Sequence, residues 1–187
     1  LAELRGWSSF VGLQIQYSLI ERTPERDLLP MARALDIAVT AWGPLGGGLL
    51  TGKYNRETDK SAAADARYSV SPWGQGLMHD RNLGIAAAVV KLAGELGRTP
   101  SQVALNWVRR QKRGVVIPML GARKLSQLQD NLACLDFVLT DEQMQRLDTA
   151  SAIELGFPHD FLASEGVQQV IYGNTLPWID HHRRPPG

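Results

Sequence analysis

The sequence predicts an α/β fold built on a parallel sheet, and three observations support this. A run of strand-forming residues at 11–18 is followed by a short predicted helix, Pro30–Leu35, and then directly by a second apolar run, Ile37–Ala41. This strand–helix–strand order is typical of parallel sheets, whose neighbouring strands need a crossover connection. A third short apolar run, Val115–Pro118, follows two long helical patterns and predicts a third strand.

The helices are predicted from apolar spacing and from signals at their ends. Gly97 stands where a helix C-terminus favours glycine, and Thr99–Gln102 and Thr140–Gln143 are capping boxes that open helices. The predicted helices are the end of one at Leu1–Arg5, then Asn82–Leu96, 99 to about 111, a helix that carries Leu125, Leu128 and Leu132, and Asp141–Ala150. We therefore expect a domain over residues 1–150, followed by a C-terminal extension, 151–187, that wraps it.

The composition is that of an ordinary globular domain and disfavours several functional classes. The 187 residues are 44% hydrophobic and 21% charged, which is enough for one sizeable core. A net charge of +1 gives no electrostatic reason to expect nucleic acid or a membrane surface as a partner. Apolar runs stay well short of the ~20 residues that cross a bilayer, and we see no secretory pattern. The single cysteine, Cys134, predicts a small buried hydrophobic residue and suits a reducing cytoplasm.

A glycine-rich stretch follows the second predicted strand and is the first candidate site. The strand runs into Trp42, breaks at Gly43-Pro44, and continues through three glycines, 46–48, to Lys53. An aromatic plate at the C-terminal end of a strand lies where α/β folds place ligands. Backbone without side chains can approach a phosphate closely, and a lysine supplies positive charge. A buried tryptophan beside a mobile surface loop explains the same residues equally well.

The third strand leads into a second candidate site. Gly121-Ala122-Arg123 links it to the leucine-bearing helix, so free backbone N–H groups and the positive end of the helix dipole face one point. The guanidinium of Arg123 has a planar shape suited to a phosphate. Because the carboxyl ends of parallel strands meet at one edge of a sheet, we expect this turn to lie near the glycine-rich stretch and near Gln14 and Tyr17 of the first strand.

Two further segments give weaker signals. Residues 55–80 lack periodicity and predict a long loop, in which Arg67 and Trp73 are expected to be surface residues that could alternatively cover a ligand. The pair His181-His182 near the C-terminus could suggest a metal site. Without a third ligand at a known spacing we expect a solvated tail and no metal site.

Three segments together resemble the aldo-keto reductases over residues 1 to about 150. They are Gln14-Ile15-Gln16-Tyr17-Ser18-Leu19-Ile20-Glu21-Arg22, then Ala41-Trp42-Gly43-Pro44-Leu45 with 48–54, and Ile117-Pro118 with Gly121–Lys124 and Gln127–Leu132. The resemblance implies part of a (β/α)₈ barrel, with the last three βα units and a C-terminal extension. It also implies hydride transfer from NADPH to a small aldehyde or ketone.

The resemblance implies cofactor-binding roles for residues of the first two units. Gln14 would hydrogen-bond the nicotinamide carboxamide, and Trp42 would stack on the other face of that ring. The pyrophosphate would lie along Leu45, Gly47, Leu49 and Lys53, held mainly by backbone N–H groups.

In the third unit the implied roles concern the adenosine end of the cofactor. Arg123 and Gln127, beside the turn at Gly121, would bind the 2′-phosphate. Asp130 and Asn131 would meet the adenine edge. The family often has Pro-Gly before the Ala-Arg pair, where this chain has 119–121, Met-Leu-Gly, so the turn is expected to differ in shape.

No catalytic residue is assigned in this chain, because the family carries its catalytic Asp, Tyr, Lys and His on earlier strands. Leu1 is not an initiator methionine, so we expect a truncated chain that needs the missing amino-terminal half of the barrel or a second copy of itself. Two other functions remain open. One is a non-enzymatic NADP(H)-binding or regulatory fragment, and the other is a different phosphate-binding barrel enzyme such as an isomerase, which Trp42 disfavours.

Overall fold

The computed structural model describes residues 1–54 and 76–179, which contain a three-stranded sheet. The strands are β1 (Gly12–Gln16), β2 (Ala38–Trp42) and β3 (Val116–Pro118), in the order β1-β2-β3. Both pairings are parallel, with Gln14 opposite Thr40 and Thr40 opposite Ile117. The predicted α/β fold with parallel strands is confirmed, and β2 starts and ends one residue later than expected.

Eight α-helices and four short 3-10 segments accompany the sheet in the described residues. The helices are α1 (Ala2–Arg5), α2 (Leu28–Ala34), α3 (Asp80–Leu96), α4 (Pro100–Arg109), α5 (Leu125–Leu132), α6 (Asp141–Ala150), α7 (His159–Ala163) and α8 (Glu165–Tyr172). The 3-10 segments are Thr23–Glu25, Gly46–Thr51, Ala133–Leu135 and Leu176–Trp178. Helix α3 begins two residues before the predicted start at Asn82, and its first residue, Asp80, was predicted to be the last residue of the loop.

The helix ends follow the predicted capping chemistry. Thr99 accepts the backbone N–H of Gln102 at 3.3 Å, and Thr140 accepts that of Gln143 at 3.2 Å. Both glutamines return a bond to the backbone N–H of their threonine, which completes two capping boxes. Gly97 ends α3 with a left-handed φ of 61°.

The helices cover one face of the sheet and leave the other open in the described residues. Alternate side chains, among them Ile15, Val39 and Val116, are buried against α3 and α4 in a single core. The intervening positions are exposed, as at Gln14 and Trp42, or half-buried, as at Thr40, because side chains of a strand point alternately to opposite faces. The sheet therefore has a packed face and an open face.

A buried charge network crosses the packed side. Arg22 donates to both oxygens of Glu25 at 2.7 and 3.0 Å, and its third nitrogen, Nη1, donates to the Asp148 carbonyl and to Ser151 Oγ. Tyr17 donates to Glu25 at 2.7 Å, while burial and this carboxylate raise the pKa of the Tyr17 phenol well above its ordinary value. The network joins the loop after β1 to the end of α6.

Three sequence expectations need a structural comment. Cys134 is buried as predicted, and burial raises the pKa of its thiol. The leucine stripe of α5, Leu125, Leu128 and Leu132, is exposed, since no described element packs on that side of the helix. Most of the predicted 55–80 loop, with Arg67 and Trp73, and the pair His181-His182 lie outside the described residues.

The described part of the C-terminal extension, which ends at residue 179, contacts the domain at its start. Arg26 donates to the Glu154 carbonyl and Arg81 to the carbonyls of Ser151 and Ala152, so the start of the extension is fixed to the domain. Helices α7 and α8 bury none of their side chains. No helix of the described residues has the length and apolar character needed to cross a membrane.

Candidate functional site

A cleft of about 750 Å³ opens at the C-terminal ends of β2 and β3. Its walls are the glycine-rich turn after β2, the connection from β3 to α5, and the N-terminus of α4. The lining residues are Gly43, Pro44, Leu45, Gly47, Gly48, Thr51, Lys53, Ser101, Met119, Leu120, Gly121, Ala122, Arg123, Lys124, Gln127, Asp130 and Asn131. The two candidate sites predicted from the sequence are therefore walls of one cleft.

The glycine-rich turn brings bare backbone and a lysine together. Gly47 and Gly48 have φ values of 62° and 109°, which are costly for residues with a side chain, and they break the 3-10 segment into two turns. The Lys53 ammonium lies 3.1 Å from the point that a Cβ on Gly48 would occupy. A side chain at Gly48 would displace the lysine, so the glycine allows a cation to lie directly over the turn.

The N-terminus of α5 presents backbone N–H groups and two cations. Gln127 Oε1 accepts the N–H groups of Arg123 and Lys124 at 2.9 and 3.3 Å, which folds the turn over the first residues of the helix. The side chains of Arg123 and Lys124 are exposed, and among the described residues neither has a carboxylate partner. Two positive charges at the positive end of a helix dipole thus face the cleft, and neither is paired with a carboxylate in the described residues.

Asn131 and Asp130, in the last turn of α5, line the cleft at its α5 wall. Asn131 is 4% exposed, and its amide has no hydrogen-bond partner in the described part of the chain. The atoms of this amide are not fully buried, so a ligand in the cleft can reach them. Asp130 differs, because Thr99 and Gln102 of α4 donate to its two oxygens at 3.2 and 2.8 Å.

Gln14 and Trp42 do not line the cleft but lie beside it on the open face of the sheet. Trp42 is opposite Gln16 in the β1–β2 register, two positions beyond Gln14 on the same face, and it is 39% exposed. Because Gly43 and Pro44 follow Trp42 directly and line the cleft, the tryptophan forms the boundary between the cleft and the open face. Tyr17 points the other way and is buried in the core.

Eight of the eleven predicted cofactor-binding residues line the cleft, and Leu49 is the one that lies elsewhere in the core. Its side chain is fully buried, because the 3-10 turn rotates it away from the cleft toward α3. The prediction did not include Ser101, Lys124 or Met119, although all three line the cleft. The capping box at Thr99 was the available sign that the N-terminus of α4 could take part.

Similar proteins are found both among solved structures and among curated sequences. The glycerol dehydrogenase of Gluconobacter oxydans superposes with a TM-score of 0.63 at 34% identity, covering 79% of this chain and 44% of that chain. The "Probable aryl-alcohol dehydrogenase AAD4" of Saccharomyces cerevisiae is 31% identical over 165 residues, covering 88% of this chain and 49% of that protein. "Aldo-keto reductase ausK" of Aspergillus calidoustus is 30% identical over 180 residues, covering 95% and 43%.

This chain spans about half the length of these relatives, or less. The sequence model of the aldo/keto reductase family matches residues 1–152, which include the sheet, both walls of the cleft and all eleven predicted cofactor-binding residues. The solved neighbour covers most of the chain with the same fold. The chain belongs to the aldo/keto reductase family, and the three relatives described above are named as dehydrogenases or as an aldo-keto reductase.

Proposed function

We propose that this chain is the cofactor-binding part of an NADPH-dependent oxidoreductase that reduces aldehydes or ketones to alcohols. The names of its relatives, which include dehydrogenases and an aldo-keto reductase, support carbonyl chemistry. The choice of NADPH depends on one observation: Arg123 and Lys124 face the cleft beside the N-terminus of α5 without an acidic partner in the described residues. A second phosphate on the adenosine is the ligand feature that would compensate this charge.

The cleft fits the phosphate-bearing part of such a cofactor. The turn at Gly47 and Gly48, with Leu45 beside it and Lys53 above it, would hold the pyrophosphate. Arg123, with Gln127 fixing its turn, would hold the 2′-phosphate. The unpartnered amide of Asn131 would bind the adenine edge, with Asp130 next to it.

The nicotinamide end would lie outside the cleft, on the open face of the sheet. Trp42 offers an aromatic surface there, and Gln14 offers an amide on the same face. A flat ring that is stacked on one side and hydrogen-bonded at its edge presents only its other side to a substrate. When bound, the cofactor supplies the hydride, while this chain binds and orients it; we assign no proton donor to the chain.

The test of the NADPH assignment is Arg123→Ala in the full-length protein. One charge-assisted contact contributes roughly 1.5–3 kcal/mol, so the Kd of NADPH should rise about ten- to a hundredfold. The Kd of NADH should change little, because NADH lacks the phosphate that Arg123 would bind. Arg109→Ala, an exposed arginine that does not line the cleft, is the matched control. Equal losses for both cofactors would overturn the 2′-phosphate role.

We also propose that the open face and both outer strands are covered by an amino-terminal half of a barrel in the functional protein. In the described residues β1 and β3 each pair on one side only, and apolar side chains such as Phe10 and Val115 lie exposed beside them. Unpaired strand edges next to apolar surface promote association. The relatives are about twice as long as this chain, which leaves room for the missing strands.

Expressing residues 1–187 alone tests this proposal. We expect self-association and no oxidation of NADPH with a reactive aldehyde, because this chain has no assigned acid to protonate the developing alkoxide. Adding the amino-terminal half should restore activity. A stable dimer that binds NADPH would instead favour a second copy as the occupant, and a monodisperse monomer with turnover would contradict the proposal.

A further inference from the structure

The capping box of α4 makes contacts that the capping box of α6 does not. Gln102 accepts the Thr99 N–H with its Oε1 at 3.3 Å and donates from Nε2 to Asp130 Oδ1 at 2.8 Å. Thr99 accepts the Gln102 N–H and donates its hydroxyl to Asp130 Oδ2 at 3.2 Å. A carboxylate can only accept, so the nitrogen end of the Gln102 amide must face Asp130. Both capping side chains of α4 therefore also bind a carboxylate of the cleft.

The box of α6 is a control within the same chain. Thr140 and Gln143 make the same two capping bonds, at 3.2 and 2.9 Å, but no further carboxylate in the described residues accepts from them. A glutamate at the third helical position caps equally well, since capping needs only an oxygen acceptor. Either Gln or Glu at this position can therefore cap the helix. The contact with Asp130 requires a side chain that donates a hydrogen bond, and of the two only glutamine does.

This contact lies at the wall of the cleft. Gln102 is 7% exposed, and its neighbour Ser101 lines the cleft together with Asp130 and Asn131. Asp130 and Asn131 belong to the last turn of α5, so fixing the Asp130 carboxylate against α4 also fixes the position of the adjacent Asn131 amide. The α4 N-terminus and the end of α5 are thereby held together across 28 residues of sequence.

We propose that Gln102 is a positioning residue for the adenosine end of the cofactor and that it acts through Asp130. The proposal depends on the function proposed above, because it concerns the same cleft. The proposal adds the N-terminus of α4 to the elements that shape the adenosine site. Gln102 itself does not contact the ligand. The side chain sets the orientation of Asp130 and Asn131, the two residues that face the adenine.

The test compares Gln102→Glu with Gln143→Glu in the full-length protein, with isothermal titration of NADPH and of adenosine 2′,5′-bisphosphate. Gln102→Glu keeps the cap but sets a carboxylate against Asp130, so both ligands should bind about tenfold more weakly. Binding of nicotinamide mononucleotide, which lacks the adenosine end, should not change. Gln143→Glu should leave all three affinities unchanged, because that box does not touch the cleft.

The reversed pair separates positioning from a general loss of structure. In Gln102→Glu with Asp130→Asn, the asparagine nitrogen can donate to the new glutamate while its oxygen still accepts from Thr99. Because Asp130 itself lines the cleft, the double variant is compared with Asp130→Asn alone, and we expect Gln102→Glu to cost no further affinity for the two adenosine ligands in that background. No loss in Gln102→Glu alone, a loss for nicotinamide mononucleotide as well, or an equal loss in the Asp130→Asn background would overturn the proposal. Failure of the unaltered protein to bind NADPH would instead refute the proposed function.

Discussion

The molecule holds its charges in two different ways, in the buried network of the packed side and in the cleft at the C-terminal ends of the strands. In the network on the packed side, Arg22 is 6% exposed, and its guanidinium bonds to Glu25, Asp148 and Ser151. A second cation, Arg113, reaches the same Glu25 carboxylate at 3.3 Å. In the cleft, the exposed cations Arg123 and Lys124 have no carboxylate partner among the described residues.

The difference indicates which charges serve the fold and which serve a ligand. A buried ion that loses its partner is costly, so the network must be complete within the chain. Exposed cations remain solvated without a partner and are available to an anion that enters later. We therefore expect changes in the network to alter stability, and changes in the cleft to alter binding with little effect on stability.

The largest expected effect is from Glu25→Gln, which breaks the network. Arg22 and Arg113 would lose the carboxylate between them while Arg22 stays buried, which should cost about 3–5 kcal/mol of the free energy of unfolding. Urea unfolding of the full-length protein measures this. Glu95→Gln is the matched control, because Glu95 also forms a two-bond pair with an arginine, Arg146, but on the surface. Glu95→Gln should lower the free energy of unfolding far less than Glu25→Gln. Equal losses would contradict the view that the buried network stabilises the fold more than a surface pair does.

A smaller effect is expected from Tyr17→Phe in the same network. Losing the hydrogen bond to the Glu25 carboxylate should cost roughly 1.5–3 kcal/mol near pH 8. Because the folded state raises the pKa of the Tyr17 phenol, the unfolded chain releases this proton at lower pH, and the wild type loses stability above the ordinary pKa.

The difference in the free energy of unfolding between wild type and Tyr17→Phe should therefore become smaller between pH 8 and pH 11. Urea unfolding of both proteins at pH 8 and at pH 11 tests the direction of this change. A difference in the free energy of unfolding that stays constant or increases would show that the Tyr17 pKa is not raised in the folded state.

The smallest effect is expected from Trp42→Ala at the edge of the cleft. Stacking contributes about 0.5–1.5 kcal/mol beyond area burial, so the Kd of NADPH should rise roughly two- to tenfold. Quenching of tryptophan fluorescence by NADPH should decrease in the same variant. Trp178→Ala removes an exposed tryptophan of the extension and should change neither quantity. A folded Trp42→Ala protein with unchanged Kd would make Trp42 a purely structural residue.

The local features of the fold could be predicted from the sequence, because their causes are local. The parallel strands followed from their order, and both capping boxes and the end of α3 at Gly97 followed from single residues. The glycine-rich stretch was recognised, but its turn was not. Two glycines with positive φ bend it into 3-10 turns, which bury Leu49.

The remaining features depend on contacts between distant parts of the chain. Arg22 bonds to groups 126 and 129 residues away in the sequence, and no periodic pattern predicts contacts of that kind. The same applies to Gln102 and Asp130, which joined α4 to the cleft without any motif. The extension was predicted from the accumulation of Pro, Gly and His after Ala152, and such a composition does not specify which surface a segment contacts.

The most direct test of the account is the preference of the unaltered full-length protein between NADPH and NADH. Titration of each cofactor at low and at high salt gives the two affinities. The exposed cations Arg123 and Lys124, which have no carboxylate partner among the described residues, predict that NADPH binds about ten- to a hundredfold more tightly at low salt. The advantage should shrink at high salt, because exposed charges are screened. Equal affinities at low salt would contradict the account.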